Sequence, residues 1–573
     1  GLWGRLHAKL VGEDLPVMPV DHPLTFFGPY TEFEGTGKDI GYPLLRDQGN
    51  SAYMRDTGDP KTPEGGQIEW GYYEETNPRL CHPRDILEKE EARLSPSQRD
   101  LPIEQIMEPL ERAMELTPIL GELGYNENYS FNGLLQVTTD GGPSIGESQK
   151  VRGLWYAIAI WVKDGPGMAK LLVDWMTDGR TEIDHNSIDY ARFYPFQTTE
   201  KFIEERCAES AMKIYTPAVH PREPFSGGRN IRRSPFYERE VELGGHFMEL
   251  GGWERAHGYA SNEHLLEKWK DHVPVRESEW DNRHFWRVSN AEHLEMSDNV
   301  GMVNLSHFAM FDVSGPDHEA LMEYACVAKI GGENMIGKAI YTHFLDDVGG
   351  IAADLTVMRM PDRCRIIDGA DAGPRDYNYL KRLAQDKGFD VTIEDVTEKY
   401  TTIGVWGPNA RTTLQKVVAD PEALSQENSP FASVRPVEIA GKKVSALRLS
   451  YVGEQGWELH MTYEDGLAVW DALRAQNIMP FGVETYANTR RMEKSLRLQN
   501  ADLLTEYNLI EADLARPKVK AADFRGKQAY LDIRARNNQP ATLCTLVMDD
   551  NIDSQGVARY PVGTCPVLDG KTK

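Results

Sequence analysis

Apolar residues recur along the chain with two different periods. Near the start, "LPVMPVDHPLTFF" (15–27) alternates as a strand does but carries prolines. The pattern predicts a strand interrupted by proline, with His22 at its edge beside Asp21. "SAYMRDTGD" (51–59) predicts a strand that closes in a turn, with Tyr53 as plain core filling. Ile106, Leu110 and Met114 repeat at helical spacing within 103–120. "TTDGGPSIGES" (138–148) is rich in turn residues, and the unbroken apolar run "LWYAIAIWV" (154–162) predicts a buried strand. In "GPGMAKLLVDWMTDG" (165–179), Met168, Leu171, Leu172, Trp175 and Met176 form one helical stripe that ends near Gly179. The Pro-, Gly- and Arg-rich stretch 216–235 predicts an extended crossing between domains. From about residue 285 strands alternate with short helices, including amphipathic helices at 318–330 and 466–476 and a strand at 444–453.

A chain of 573 residues is too long for one core, and roughly three or four domains are expected. Its 40% hydrophobic and 27% charged residues are those of ordinary globular protein. The net charge of −26 argues against a nucleic-acid or anionic-membrane partner. No apolar run approaches the roughly 18 residues of a membrane span. Cys81, Cys207, Cys326, Cys364, Cys544 and Cys565 are scattered without a C-x-x-C, so thiols in a reducing compartment are expected, with no disulfide framework and no metal site.

The chemistry-bearing candidates are modest one by one. "GTGKDIG" (35–41) lacks the spacing and the preceding strand of a dinucleotide fingerprint. In "LDDVGGIAADLTV" (345–357), Gly349-Gly350 permits a tight hairpin; Asp346 and Asp347 read as acids flanking the turn, and Asp354 alone reads as a solvated charge. "SYVGEQGWELH" (450–460) reads as strand, turn and strand, with Trp457 and Glu458 on opposite faces. A carboxylate among apolar neighbours can accept two N–H donors from a flat heterocycle.

Taken in order, "DHPLTFF", "LLRDQGNSAYMRDTGD", "FNGLLQVTTDGGPSIGES", "RNIRRSPFYEREVELGGHFMELGGWERAHGY", "YTHFLDDVGGIAADLTV", "IGVWGPNAR" and "LRLSYVGEQGWELH" resemble the dimethylglycine dehydrogenase/oxidase and sarcosine dehydrogenase family. That family joins an FAD-dependent amine oxidase to a tetrahydrofolate-binding half like the glycine-cleavage T-protein. The resemblance implies a multidomain α+β chain. Residues 1–185 would be the second half of the FAD/substrate domain, with a mixed sheet, and 186–282 a connecting domain. Residues 283–530 would be the folate-binding domain, and 531–573 the start of a small β-barrel. The glycine-rich ADP-binding turn and the histidine that links covalently to FAD are expected before Gly1.

Residue by residue, the resemblance implies the following. His22 matches an active-site histidine beside the flavin, and Tyr53 a tyrosine at the substrate amine and flavin. Ile160, Trp161, Val162 and Lys163 match the segment along the isoalloxazine. Tyr341 matches a folate contact and Asp354 the carboxylate required for folate chemistry. Tyr451, Glu458, Leu459 and His460 match further folate contacts, with Glu458 on the pterin, and Arg491 belongs to an Arg-x-Glu element. The chain departs from the family at Pro23-Leu24, where Gln-aromatic is usual, and at Ser495, Asn500 and Asp513, near or at positions where glycines are usual.

The implied reaction is oxidative demethylation of a small N-methylated amino acid, with dimethylglycine expected and sarcosine or another N-methyl amine as the alternative. His22, titrating near neutrality, would help keep the amine unprotonated. The methylene would pass to tetrahydrofolate, or leave as formaldehyde without it. The electron acceptor would be oxygen or an electron-transfer flavoprotein. The expected compartment is the cytoplasm, or the mitochondrial matrix in a eukaryote. A flavin-free aminomethyltransferase and a non-catalytic folate module are the competing readings.

Overall fold

Val17–Phe27 is a single strand of 11 residues, uninterrupted by its prolines. This corrects the broken strand expected from the pattern. Asp21 N–H donates away from the neighbouring strand Phe131–Thr138, to Arg79 O, and Pro19 O accepts on that same side. Pro19 and Pro23 share that parity, so their missing N–H groups remove no rung from the ladder with Phe131–Thr138. The computed structural model describes residues 2–557, apart from 37–41, 88–96, 217–218, 221, 277, 285, 537 and 553–554, together with Val567. Most of "GTGKDIG", Cys565 and most of the far C-terminal segment lie outside the described residues.

The architecture is multidomain α+β. The first sheet orders its strands Leu45–Asp47, Ala52–Asp56, Ile68–Tyr72, Val17–Phe27 and Phe131–Thr138, all antiparallel. One face is covered by the helix Ile103–Leu116, which buries Ile106, Leu110 and Ala113 against Phe27, Met54, Trp70 and Tyr72. The helix Glu200–Tyr215 packs on the two longest strands, with Ile203 and Cys207 against Met18. The run 154–162 is a strand only over Trp155–Ile158. Ala159 takes a left-handed φ of 51°, and Asp164 N–H and Gly165 N–H both close on Trp161 O, so the second half turns into the next helix. That helix, Gly165–Asp178, ends at Gly179 with φ 73°.

Two further sheets build the second half. One orders Ala339–Leu345, Ile351–Arg359, Arg363–Asp368, Ala309–Ser314 and Thr392–Asp395, all antiparallel. The other orders Val434–Ile439, Lys442–Leu447, Gly456–Thr462, Tyr400–Trp406, Gly301–Asn304 and Met479–Pro480; its last pair is parallel, so a mixed sheet is present here, whereas the sheet of the first half, where one is expected, is antiparallel throughout its described strands. The strand expected over 444–453 ends at Leu447. Each sheet has its own core, and Ala339, Met358 and Ile367 meet Leu447 and Leu449 where the two approach. Between the halves, Gly245–Leu250 and Trp253–Tyr259 form a hairpin. Described residues after the helix Lys527–Arg536 form no strand, so they add nothing to the barrel expected from 531.

Crowding explains Gly349-Gly350 better than turn geometry alone. Gly349 has φ 90°, and a Cβ there would lie 3.0 Å from Ile533 Cδ1. A Cβ on Gly350 would run into the carbonyl of Thr505. Asp346 accepts from Val348 N–H at 3.0 Å and Gly350 N–H at 2.7 Å, and Asp347 pairs with Arg525, so both acids are structural. Ser495, Asn500 and Asp513 all have φ between 54° and 62°. These are left-handed positions that favour glycine, and Asn and Asp tolerate them better than other side chains.

Candidate functional site

The first constellation stands on the antiparallel sheet. His22 and Tyr53 come from strands separated by Ile68–Tyr72, and His22 Nε2 lies 3.0 Å from Tyr53 Oη. Burial lowers the His22 pKa to about 4 and raises that of Tyr53 to about 12. Both groups are therefore neutral through the physiological range, which corrects the expectation that His22 titrates near neutrality. His22 stacks on Tyr73 with centroids 4.5 Å apart, and Tyr73 meets Tyr215 at 4.0 Å. Trp161 closes the group at 5.9 Å from Tyr215 and is fixed by donating to Gln136 O at 2.8 Å. The Arg46 guanidinium lies over Tyr215 at 4.5 Å, and its buried Nη2 has no hydrogen-bond partner among the described residues. Ile160 is half-buried beside Trp161, whereas Val162 is 97% exposed and Lys163 pairs with Asp164 at the surface. Of the four residues 160–163, only Trp161 joins the aromatic box.

The second constellation rises from the hairpin Ala339–Leu345/Ile351–Arg359. His343 faces Asp354 across the ladder, and alternation puts Tyr341 on that same face. Ile340, Phe344, Ala353 and Leu355 fill the core on the other. Tyr341 Oη donates to Asp354 Oδ2 at 3.0 Å, and its ring meets His343 at 4.8 Å. Loss of hydration raises the Asp354 pKa to about 6; Asp376 and Asp371 add to the rise, while Tyr341 and Arg375 oppose it. Tyr341 itself is pushed well up, chiefly by burial. Glu458 is buried on a strand of the mixed sheet, 3.2 Å from His460 Nε2, and His460 Nδ1 lies 3.0 Å from Thr402 Oγ1. Burial raises the Tyr486 pKa, and the nearby charges of Glu458, Tyr451 and Asp354 raise it further. Tyr451 is 5.3 Å from Tyr486 and donates to Arg497 O at 2.6 Å.

Two candidates stand apart from this set. Leu459 is fully buried among Met302, Ile403 and Val405, so it supports the strand carrying Glu458 and offers no side chain to a ligand. Arg491 donates to Ala487 O at 2.9 Å and Leu496 O at 3.3 Å and pairs with Asp502, which braces the 496–502 loop. Sequence reasoning missed His343, Tyr486, Tyr73, Tyr215 and Arg46. His343 had a readable signal, its parity with Tyr341 in "YTHF". It is 2% exposed, and neither ring nitrogen has a partner among the described residues.

The Asp354 carboxyl yields a stability prediction. Its folded pKa of about 6 exceeds an unfolded value of about 3.9, so the wild-type fold is penalised as pH rises through 6. Asp354→Asn removes the charge and keeps an acceptor for Tyr341. It is expected to stabilise the protein by about 1–2 kcal/mol at pH 7–8, allowing for partial exposure, with no gain below about pH 4. Thermal unfolding of both proteins from pH 4 to 8 checks this, and a difference that does not vary with pH would contradict it.

Three family models cover the chain in turn. "FAD dependent oxidoreductase" matches residues 1–175, "FAD dependent oxidoreductase central domain" 178–234, and "GCVT N-terminal domain" 236–519. The chain is 28% identical to "Dimethylglycine dehydrogenase, mitochondrial" of Rattus norvegicus, over 97% of this chain and 63% of that protein. It is 30% identical to "4-methylaminobutanoate oxidase (formaldehyde-forming)" of Paenarthrobacter nicotinovorans, over 82% of this chain and 54% of that protein. It is 26% identical to "Sarcosine dehydrogenase, mitochondrial" of Mus musculus, over 96% of this chain and 61% of that protein. The chain thus spans less than two thirds of the length of these curated relatives. With an FAD-dependent oxidoreductase domain and its central domain followed by a T-protein-like GCVT domain, the chain belongs to the family of FAD-dependent amine oxidoreductases fused to an aminomethyltransferase-like half.

Proposed function

We propose that the protein oxidatively demethylates a small N-methylated amino acid, dimethylglycine to sarcosine, and passes the methylene carbon to tetrahydrofolate. The observation that carries this reading is that one chain holds both constellations: the neutral His22–Tyr53 pair in an aromatic box, and the Tyr341–Asp354 pair with its carboxyl near pKa 6. The residues of the box fit a flavin and an amino-acid substrate. Flat rings line it, and Arg46 keeps a buried N–H without a partner among the described residues. When bound there, FAD supplies the two-electron oxidation of the N-methyl carbon.

The chain's own residues prepare that step. Trp161, Tyr73 and Tyr215 exclude water from the box, and Arg46 is the cation available to a substrate carboxylate. His22 and Tyr53 hold the amine by hydrogen bonds. Being neutral, they lend no charge that would stabilise a carboxylate elsewhere or repel the amine. At the second site, His343, Glu458 and Tyr451 line the place of the folate ring, and Asp354 handles a proton. The methylene leaves an iminium nitrogen and gains bonds to two folate nitrogens; one N–H proton goes to the departing amine and one is released. A carboxylate titrating near 6 accepts that proton readily at neutral pH. We assign the flavin-side chemistry to about residues 1–185 and the folate chemistry to 283–530, with either oxygen or an electron-transfer flavoprotein as acceptor.

Sarcosine or 4-methylaminobutanoate is the second reading, favoured by the similarity to proteins with those names. Titrating the FAD-loaded protein with each amine while following flavin absorbance separates them. Dimethylglycine is expected to bleach the flavin at the lowest concentration, and betaine, which lacks a nitrogen lone pair, should leave it oxidised. Failure of every secondary and tertiary amine to bleach it would overturn the proposal.

A further inference from the structure

The strand Trp253–Tyr259 carries alternate side chains to two faces. On one face Glu254 is buried against Arg229. On the other stand Arg255 and His257. Arg255 is half-buried, its Nε is sealed, and it makes no hydrogen bond or ion pair among the described residues. Its nearest acids are occupied: Glu249 holds Arg206 at 2.8 Å, and Asp371 accepts from Asn500 at 3.0 Å. His257 Nδ1 lies 3.9 Å from Glu484, its buried Nε2 has no partner among the described residues, and His307 is 7% exposed and makes no hydrogen bond among them. Burial depresses both imidazoles and the nearby charge of Arg255 adds to it, so the two rings are neutral donors or acceptors. A half-buried guanidinium with no ion-pair partner among the described residues keeps its terminal N–H groups available to an anion. Glu484, the acid beside His257, stands two residues before Tyr486, whose ring meets Tyr451 at 5.3 Å, and Asp371 acts electrostatically on both Arg255 and Asp354, so this cation borders the second constellation.

We propose that Arg255, assisted by His257 and His307, binds the carboxylate of the amino acid whose methylene is transferred at Asp354. This rests on the demethylation and transfer reading above. An amino-acid iminium keeps one anionic group from the first site to the second, and a planar guanidinium fork is the side chain that grips and orients a carboxylate best. Arg255 is thus a binding and specificity-determining residue of the second half. It favours substrates that bear a carboxylate over neutral amines.

The test compares wild type, Arg255→Met and Arg255→Lys, each loaded with FAD and given tetrahydrofolate. Methylenetetrahydrofolate formed per flavin reduced is measured with dimethylglycine and with its neutral amide. The ratio with dimethylglycine is expected to fall at least tenfold in Arg255→Met and less in Arg255→Lys. Wild type given the amide should behave like Arg255→Met given the acid. Calorimetric titration with sarcosine should fill two sites in wild type and one in Arg255→Met. Equal coupling in wild type and Arg255→Met, two sarcosine sites in both, or the same loss with acid and amide would overturn the assignment. Wild type that releases only formaldehyde from both amines would overturn the parent reading, and this one with it.

Discussion

Replacing Asp354 by alanine is expected to divert the one-carbon product from methylenetetrahydrofolate to formaldehyde while the flavin still bleaches. The reason is spatial as well as chemical. Asp354 belongs to the hairpin of the folate-like half, paired with Tyr341, whereas His22 and Tyr53 stand on a different sheet. A positioned general base contributes about 10²–10⁴ in rate. Loss of that factor should let water compete for the iminium, so folate product per flavin reduced should drop about a hundredfold. The same carboxyl sets a pH dependence. Because its pKa is raised to about 6, the basic form grows as pH rises from 5 to 7, and folate coupling in the wild type should rise with it. Asp354→Asn should remove that limb. Product analysis by chromatography, with flavin absorbance in the same samples, reads both quantities. Undiminished folate product from Asp354→Ala would remove Asp354 from the chemistry.

Much of this second site was legible because it lies on two adjacent strands. Alternation across a Gly-Gly hairpin is enough to align Tyr341, His343 and Asp354 on one face, and the resemblance then gives that face a purpose. The segments expected to be rich in glycine were also informative: Ser495, Asn500 and Asp513 all take left-handed backbone, the shape that favours glycine. What could not be read is what chain topology assembles from afar. Arg46, Tyr73, Trp161 and Tyr215 meet from one strand, the end of a second, a turn and the C-terminal end of a long helix, and no spacing rule connects them. Periodicity also overreached at 154–162. A run of apolar residues does not reveal that Ala159 turns left-handed and leaves Val162 in solvent. A motif match likewise says nothing about which members face a ligand. Leu459 and Arg491 lie within matched segments, yet one fills a core and the other braces a loop. Arg255 shows the converse, because a charge in "GGWERAHGY" becomes notable only once its lack of a partner is seen.

Replacing His22 by alanine is expected to slow flavin reduction by substrate about a hundredfold, the usual scale for losing one preorganised hydrogen-bonding group at a reacting centre. The pH profile should distinguish how His22 acts. A histidine working as a proton reservoir would place an inflection near its ordinary value of about 6.5. Burial instead lowers His22 to about 4 and raises Tyr53 to about 12, so neither group changes charge between pH 5 and 9. Any inflection within that range in the flavin half-reaction should therefore come from the substrate amine, and it should move with the amine's own pKa when substrates are exchanged. In His22→Ala the rate should fall at every pH with the inflection unmoved. Tyr53→Phe should give the same shape with a smaller drop, because His22 Nε2 loses its 3.0 Å partner but the ring stack on Tyr73 survives. Stopped-flow reduction of the FAD-loaded protein between pH 5 and 9 measures all of this. A rate unchanged by His22→Ala would remove His22 from the oxidation. An inflection near 6.5 that vanishes in the variant would show that the histidine titrates, and that the buried neutral pair is not the working form.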